Sequence, residues 1–306
     1  MTPPAPPRDS PAGRAFNDLR NLAKRQRRDP FEYYTLYALE GFLARMTAST
    51  QADHFVLKGG VLMAAFAARR PTRDIDVAAS GISGDVSDVM ARVREVVAER
   101  LEDGLEFDDH SVRAEEIRQD AAYAGVRVHM VAILASARIP LHVDVNFGDP
   151  IWPGATQTIL PRLLGGTLTV QGYPDHMVLA EKIVTAIERG SENTRWRDFV
   201  DIASITSTRT IEADMLRHAM GVCADYRQAK LESLGPVAER MSIAAQAKWA
   251  VWRRKQRLGE STPESFADLL LECVRFCDPV LSGSATNATW DPRSRTWVSP
   301  RQVVEA

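Results

Sequence analysis

At 306 residues, with 45% hydrophobic and 25% charged side chains, the chain has the composition of a globular protein with room for one large domain or two ordinary ones. A net charge of −2 gives no bulk attraction to nucleic acid, so any such contact would have to come from a local patch. Three cysteines, Cys223, Cys273 and Cys277, exclude a disulfide framework and fit reduced thiols in the cytoplasm.

No run approaches the roughly 20 apolar residues of a membrane span, so no membrane is expected. The opening "MTPPAPPRDSPAG" lacks the apolar core of a signal peptide, and its prolines read as an irregular tail. Residues 1–28 are expected to form a disordered, basic arm carrying Arg14, Arg20, Lys24, Arg25, Arg27 and Arg28. Those charges suit either a solvated helix face or contact with a nucleic-acid backbone.

Asp29-Pro30-Phe31-Glu32 is a helix start: Asp caps, Pro takes the first turn and Glu completes a capping-box pattern. "HFVLKGG" predicts a strand ending in a glycine turn, "VLMAAFAARR" a short helix, and "RDIDVAAS" a second strand. "ISGDVSDVMARVREVVAERLEDG" has the period of an amphipathic helix, and "GVRVHMVAILASARIPLHVDVNFGD" that of two strands joined by a short turn. From Asp175 onward the periods are helical, which sets an α/β domain over 29–168 against an all-α domain over 169–283. The segment 284–306 reads as a loop-like tail docked by Trp290 and Trp297. Cys273 and Cys277, four apart in a helical pattern, read as core residues.

Alternation along a strand places Asp74 and Asp76 on one face, and His142, Asp144 and Asn146 together on one face of the later strand. If those strands are neighbours, three carboxylates converge and repel unless cations intervene. Hard oxygen donors at that density suit Mg²⁺ or Mn²⁺, and a pair of such ions is the arrangement that serves phosphoryl transfer. Gly59-Gly60 at a strand-to-helix turn would let backbone N–H groups approach a phosphate. Lys182 and Arg189 share one helix face, as do Asp198 and Asp201; a surface salt-bridge ladder involving Arg197 and Asp201 is the plain alternative. His142 on the carboxylate side, Asp149 in "FGDP", and the interleaved aromatic and basic residues of "WAVWRRKQRL" are weaker candidates.

"LKGG…RPTRDIDV" followed by "HVDVNFGDPI" resembles the nucleotidyltransferase fold of DNA polymerase beta relatives. "AEKIVTAIERG" and "RWRDFVDI" make it similar, within that fold, to the AbiEii/AbiGii (MenT-like) toxins. Gly60 stands where many relatives have Ser, and Arg197 where many have Lys. The resemblance implies an α/β (α+β) nucleotidyltransferase fold with a mixed sheet, plus an all-α C-terminal domain. It implies transfer of a nucleoside monophosphate from an NTP to an acceptor, the tRNA 3′ end above all, and a cognate antitoxin as partner. Asp74, Asp76 and Asp144 would be the metal and catalytic carboxylates. Lys58, Gly59, Gly60, Arg73, Lys182 and Arg189 would bind the nucleotide, while Asp198 and Asp201 would orient Lys182 or act on the attacking hydroxyl. The alternatives are a protein or small-molecule acceptor, or a catalytically silent binding module.

Overall fold

Both N-terminal helices begin with an oxygen side chain followed by proline, the arrangement that satisfies the first free N–H groups and presets the first turn. Ser10 accepts from the Gly13 N–H at 3.0 Å to open α1 (Pro11–Arg25), and Asp29 accepts from Phe31 at 2.9 Å to open α2 (Pro30–Ala48). The structure, a computed structural model, describes residues 6–66, 72, 74–119 and 123–299. The chain divides into two compact units. One ends at Tyr173; the other starts at Pro174 and also takes in Pro150–Gly154.

In the first unit the expected disordered arm is corrected from Pro11 onward. Phe16, Leu19 and Ala23 form a buried stripe, and Phe16 stacks on Tyr34 of α2 at 4.7 Å between ring centroids. Each large apolar side chain so buried contributes about 2 kcal/mol, which outweighs the solvation of the arginines on the outer face. The strands follow as β1 (Phe55–Lys58), β2 (Asp74–Ala79), β3 (Leu105–Gln119), β4 (Tyr123–Leu134), β5 (Ala137–Phe147), β6 (Thr156–Pro161) and β7 (Thr167–Gly172). Between them lie the four-residue α3 (Gly59–Leu62), a 3₁₀ turn at Met63–Phe66, and α4 (Val86–Ala98). The seven strands form one sheet in the order β3-β4-β5-β2-β1-β7-β6. β2–β5 and β1–β7 are parallel and the other neighbours antiparallel, so the sheet is mixed as expected. β6 and β7 extend this unit beyond the expected boundary at 168, because β7 is tied to β1 at Gly172↔Leu57.

The second unit carries α5 (Asp175–Arg189), α6 (Trp196–Thr206), α7 (Ala213–Arg227), α8 (Gly235–Lys255) and α9 (Phe266–Ser282). It is not wholly helical. β8 (Ile211–Glu212), β9 (Thr289–Asp291) and β10 (Thr296–Val298) form a small antiparallel sheet where a loop-like tail was expected. Trp290 and Trp297 face each other across β9 and β10 and donate to the Thr206 and Phe276 carbonyls at 2.8 and 3.0 Å. The tryptophans thus dock the tail as read, but as a hairpin. Cys223, Cys273 and Cys277 are buried core thiols, and burial pushes Cys273 and Cys277 well above the usual thiol range.

One buried ion pair ties α2 to the start of β3. Arg45, 2% exposed, donates to both Asp103 oxygens at 2.7 and 3.0 Å and to the Gly41 and Leu105 carbonyls. Its guanidinium carbon lies 4.9 Å from the Phe107 ring centroid. Tyr37 donates to the Asp103 carbonyl, and burial pushes its hydroxyl up to about 12. Removing one partner of such a pair strands the other charge away from water. Arg45→Met should therefore cost about 3–5 kcal/mol in urea unfolding, and a loss below about 1 kcal/mol would sink this account of α2 docking.

Candidate functional site

β2 reads Asp-Ile-Asp-Val, and the pleat decides the rest. Ile75 and Val77 are fully buried, while Asp74 and Asp76 lie on the other, half-buried face. Asp74 is opposite His142 on β5, and Asp76 opposite Asp144. On the outer side of β5, Arg127 of β4 faces Asp144 and His129 faces His142. On the other side of β2, Lys58 at the end of β1 faces Asp76. Residues in register on neighbouring strands share a face. One row across the sheet therefore reads Lys58, Asp76, Asp144, Arg127.

The two central members of that row carry like charge, and a cation flanks each side. Arg127 donates through Nε and Nη2 to Oδ1 and Oδ2 of Asp144, both at 2.7 Å, and the Asp144 side chain is 7% exposed. This fork, opposed by desolvation, raises the Arg127 guanidinium above its ordinary value. Lys58 forms an ion pair with Asp149, so the "FGDP" aspartate is a charge partner as well as a turn residue. Asp74 accepts from the Thr72 hydroxyl. Burial lowers the His142 imidazole below its ordinary value, against the raising effect of Asp144.

Gly59 has a requirement of its own. Its φ is +69°, and a Cβ there would come within 1.9 Å of Asp76 Oδ2. The hydrogen side chain thus leaves the space that the Asp76 carboxylate occupies. Gly60 is buried in α3. The helix expected over "VLMAAFAARR" is a single turn of α-helix followed by the 3₁₀ turn, and the rest of that stretch, like Arg73, lies outside the described residues.

The second cluster belongs to the helical unit. Lys182 on α5, its side chain 11% exposed, donates to Asp198 Oδ1 at 3.2 Å and to Asp201 Oδ2 at 2.6 Å on α6. Both aspartates therefore orient the lysine, and Asp201 is 2% exposed. Arg195 approaches Asp198 at 3.5 Å. Arg189 and Arg197 are exposed, Arg189 in the last turn of α5 where the helix dipole favours a cation. Trp249, fully buried, stacks on Phe266 and donates to the Glu264 carbonyl at 3.1 Å, so this ring of "WAVWRRKQRL" is core and no base-stacking platform.

Asp74 and Asp76, with Asp144 beside Asp76, are a donor set whose chemistry fits a hard divalent ion. Among the described residues, no group of three or more His, Cys, Asp or Glu is gathered into a ready-made metal cage. The geometry of Asp144 supplies the reason, since its oxygens are turned to Arg127. Sequence reasoning missed Arg127, although a signal was present. The two-residue turn Ala135-Ser136 pairs Leu134 with Ala137, and that register carries Arg127 to Asp144. Lys58 and Asp149 are 91 residues apart, and no local pattern joins them.

A family model described as "Nucleotidyl transferase AbiEii toxin, Type IV TA system" matches residues 41–272. No curated protein matches the chain. Among solved structures, JHP933 from Helicobacter pylori shares 9% identity over 82% of this chain and 92% of that one, with a TM-score of 0.44. A second H. pylori chain, described as a nucleotidyltransferase, shares 10% over 80% and 92%, with a TM-score of 0.42. An antigenic nucleotidyltransferase-like protein from Paracoccidioides brasiliensis shares 14% over 63% and 89%, at 0.39.

The Gly59 geometry yields a direct test. Gly59→Ala must take a left-handed backbone and push Asp76 aside, so it should lower unfolding stability by about 2 kcal/mol or more. Gly154→Ala, where a Cβ meets nothing within 4 Å, should leave stability unchanged. Equal effects in the two variants would show that Gly59 is merely a turn residue.

Proposed function

The chain belongs to the AbiEii nucleotidyltransferase toxin family and carries its nucleotidyltransferase fold; on that footing we propose that it transfers a nucleoside monophosphate from an NTP to the 3′ end of tRNA and so blocks translation. The carrying observation is the pair Asp74 and Asp76 on one strand face, beside a glycine whose missing Cβ makes room for Asp76. In the reaction the acceptor hydroxyl oxygen bonds to the α-phosphorus, the bond to the bridging oxygen of pyrophosphate breaks, and the hydroxyl proton is lost.

A bound Mg²⁺ or Mn²⁺ would supply Lewis-acid neutralisation of the triphosphate. Asp74 and Asp76 are the residues we assign to hold it, with Asp144 next in register. Lys58 and the backbone of Gly59-Gly60 are assigned to the triphosphate. Lys182, fixed by Asp198 and Asp201, is the cation assigned to neutralise charge on the phosphate groups, and its rigid mounting lowers the cost of orienting it. Arg73 and Arg189 are assigned to the nucleotide by the family pattern alone. The protein would act in the cytoplasm, where a cognate antitoxin restrains it; among the described residues, no helix is long and apolar enough to cross a membrane.

The test is to incubate the purified protein with Mg²⁺, total tRNA and each labelled NTP in turn, beside an Asp76→Ala control. Label should enter tRNA from one NTP and vanish in the control, by about a hundredfold or more. Label entering a protein or a small acceptor instead would discard tRNA and keep the transferase. NTP binding with no transfer to any acceptor would point to a silent binding module.

A further inference from the structure

Within the proposed reaction, the partner of the third carboxylate decides which oxygens an ion can take. Asp144 is the carboxylate that alternation along β5 sets beside Asp76, at Asp76↔Asp144 in register. The next strand sets Arg127 against its other side, at Arg127↔Asp144. The contact is the strong, planar kind, with two parallel N–H donors reaching two oxygens of one carboxylate, each at 2.7 Å. Such a fork uses the lone pairs of both oxygens on the side away from the carboxyl carbon, the same side that a bidentate metal ion would need. Asp144 is also the buried member of the pair, 7% exposed against 32% for Arg127, so its charge depends on this one guanidinium for compensation.

We propose that Arg127 is a positioning residue that serves as the resident counter-cation of Asp144 and keeps that carboxylate out of the ligand set of the divalent ion, which Asp74 and Asp76 then hold. The inference rests on the metal-dependent reading above and narrows it. A carboxylate already compensated by a fork gives up two charge-assisted hydrogen bonds if it turns to a metal, and it strands a cation beside that metal. The row Lys58, Asp76, Asp144, Arg127 then has a built-in cation at one end, so Asp76 and Asp144 can stand side by side without an ion bridging them.

Mn²⁺ binding to the full chain tests this directly, read by EPR as the loss of the sharp free-ion spectrum. Arg127→Gln removes the competing charge and releases Asp144, so Mn²⁺ should bind at least about tenfold tighter. That variant leaves a buried carboxylate alone and can fail to fold, so the decisive protein is the double variant Arg127→Gln with Asp144→Asn. It keeps the net charge of the pair and removes both ions together, an exchange that folded proteins tolerate. Its Mn²⁺ affinity should stay within about threefold of the unaltered chain, because no ligand has been lost. A double variant that binds about tenfold more weakly would make Asp144 a ligand and overturn the proposal, while leaving metal dependence intact. Weaker binding in folded Arg127→Gln would do the same, since it would show Arg127 orienting a ligand. Failure of the unaltered chain to bind Mn²⁺ at all would overturn both this inference and the metal-dependent reading.

Discussion

The rest of the candidate site depends on the parallel register of β2 on β5, because it brings Asp76 and Asp144 side by side in the middle of a sheet. Two carboxylates so placed repel, and a half-buried setting raises the cost. The fold meets that constraint from both flanks. β1 arrives antiparallel and ends on Lys58 opposite Asp76, while β4 arrives antiparallel and sets Arg127 opposite Asp144. Neither cation could reach its place if the mixed topology were exchanged for an all-parallel sheet with the same strand faces. The reversal of direction at β1–β2 and at β4–β5 is what sets these cations at the level of the acids.

Glycine enters the same constraint by subtraction. The chain must leave β1 and turn into α3 within van der Waals distance of Asp76, which is why Gly59 adopts φ +69° and carries no Cβ. Close approach of backbone to carboxylate then makes one compact locus of the turn, the acid pair and the lysine. The oxygen face of β2 and the apolar face of the same strand are two products of one alternation, since Ile75 and Val77 anchor the strand that presents Asp74 and Asp76.

How much of this was legible in the sequence follows from the range of the forces involved. The capped start of α2, the Asp-Ile-Asp strand and the β4–β5 hairpin were readable because capping and alternation are local. So was the pairing of Lys182 with α6 as a charge pattern, although which aspartate it meets was not, and it meets both. β3 went unread: Glu106, Asp108, Asp109, Arg113, Glu115 and Glu116 give this edge strand the composition of a solvated segment, and only its ladder to β4 makes it a strand. β6 and β7 were taken for a passage between domains for the same reason, being short and polar on their exposed positions. The N-terminal arm was misjudged by its prolines and arginines, which outnumber the three apolar residues that dock it.

The two charged clusters also show why arginine and lysine are not exchanged between them. Asp144 needs both oxygens compensated by one neighbour in a fixed plane on the adjoining strand, and only a guanidinium offers two parallel donors at the spacing of a carboxylate. Asp198 and Asp201 sit three residues apart on α6, so they face α5 from successive turns, and one donor group must reach both. An ammonium, with donors that rotate about a single nitrogen, can bridge two separate carboxylates in that way, whereas a planar fork would satisfy one and leave the other. The strand cluster thus uses its cation to pin a single acid, and the helical cluster uses two acids to pin a single cation. A fixed acid holds its place beside a neighbouring carboxylate; a fixed ammonium presents its positive charge in one direction. The residue types at positions 127 and 182 follow from that difference in what is being held.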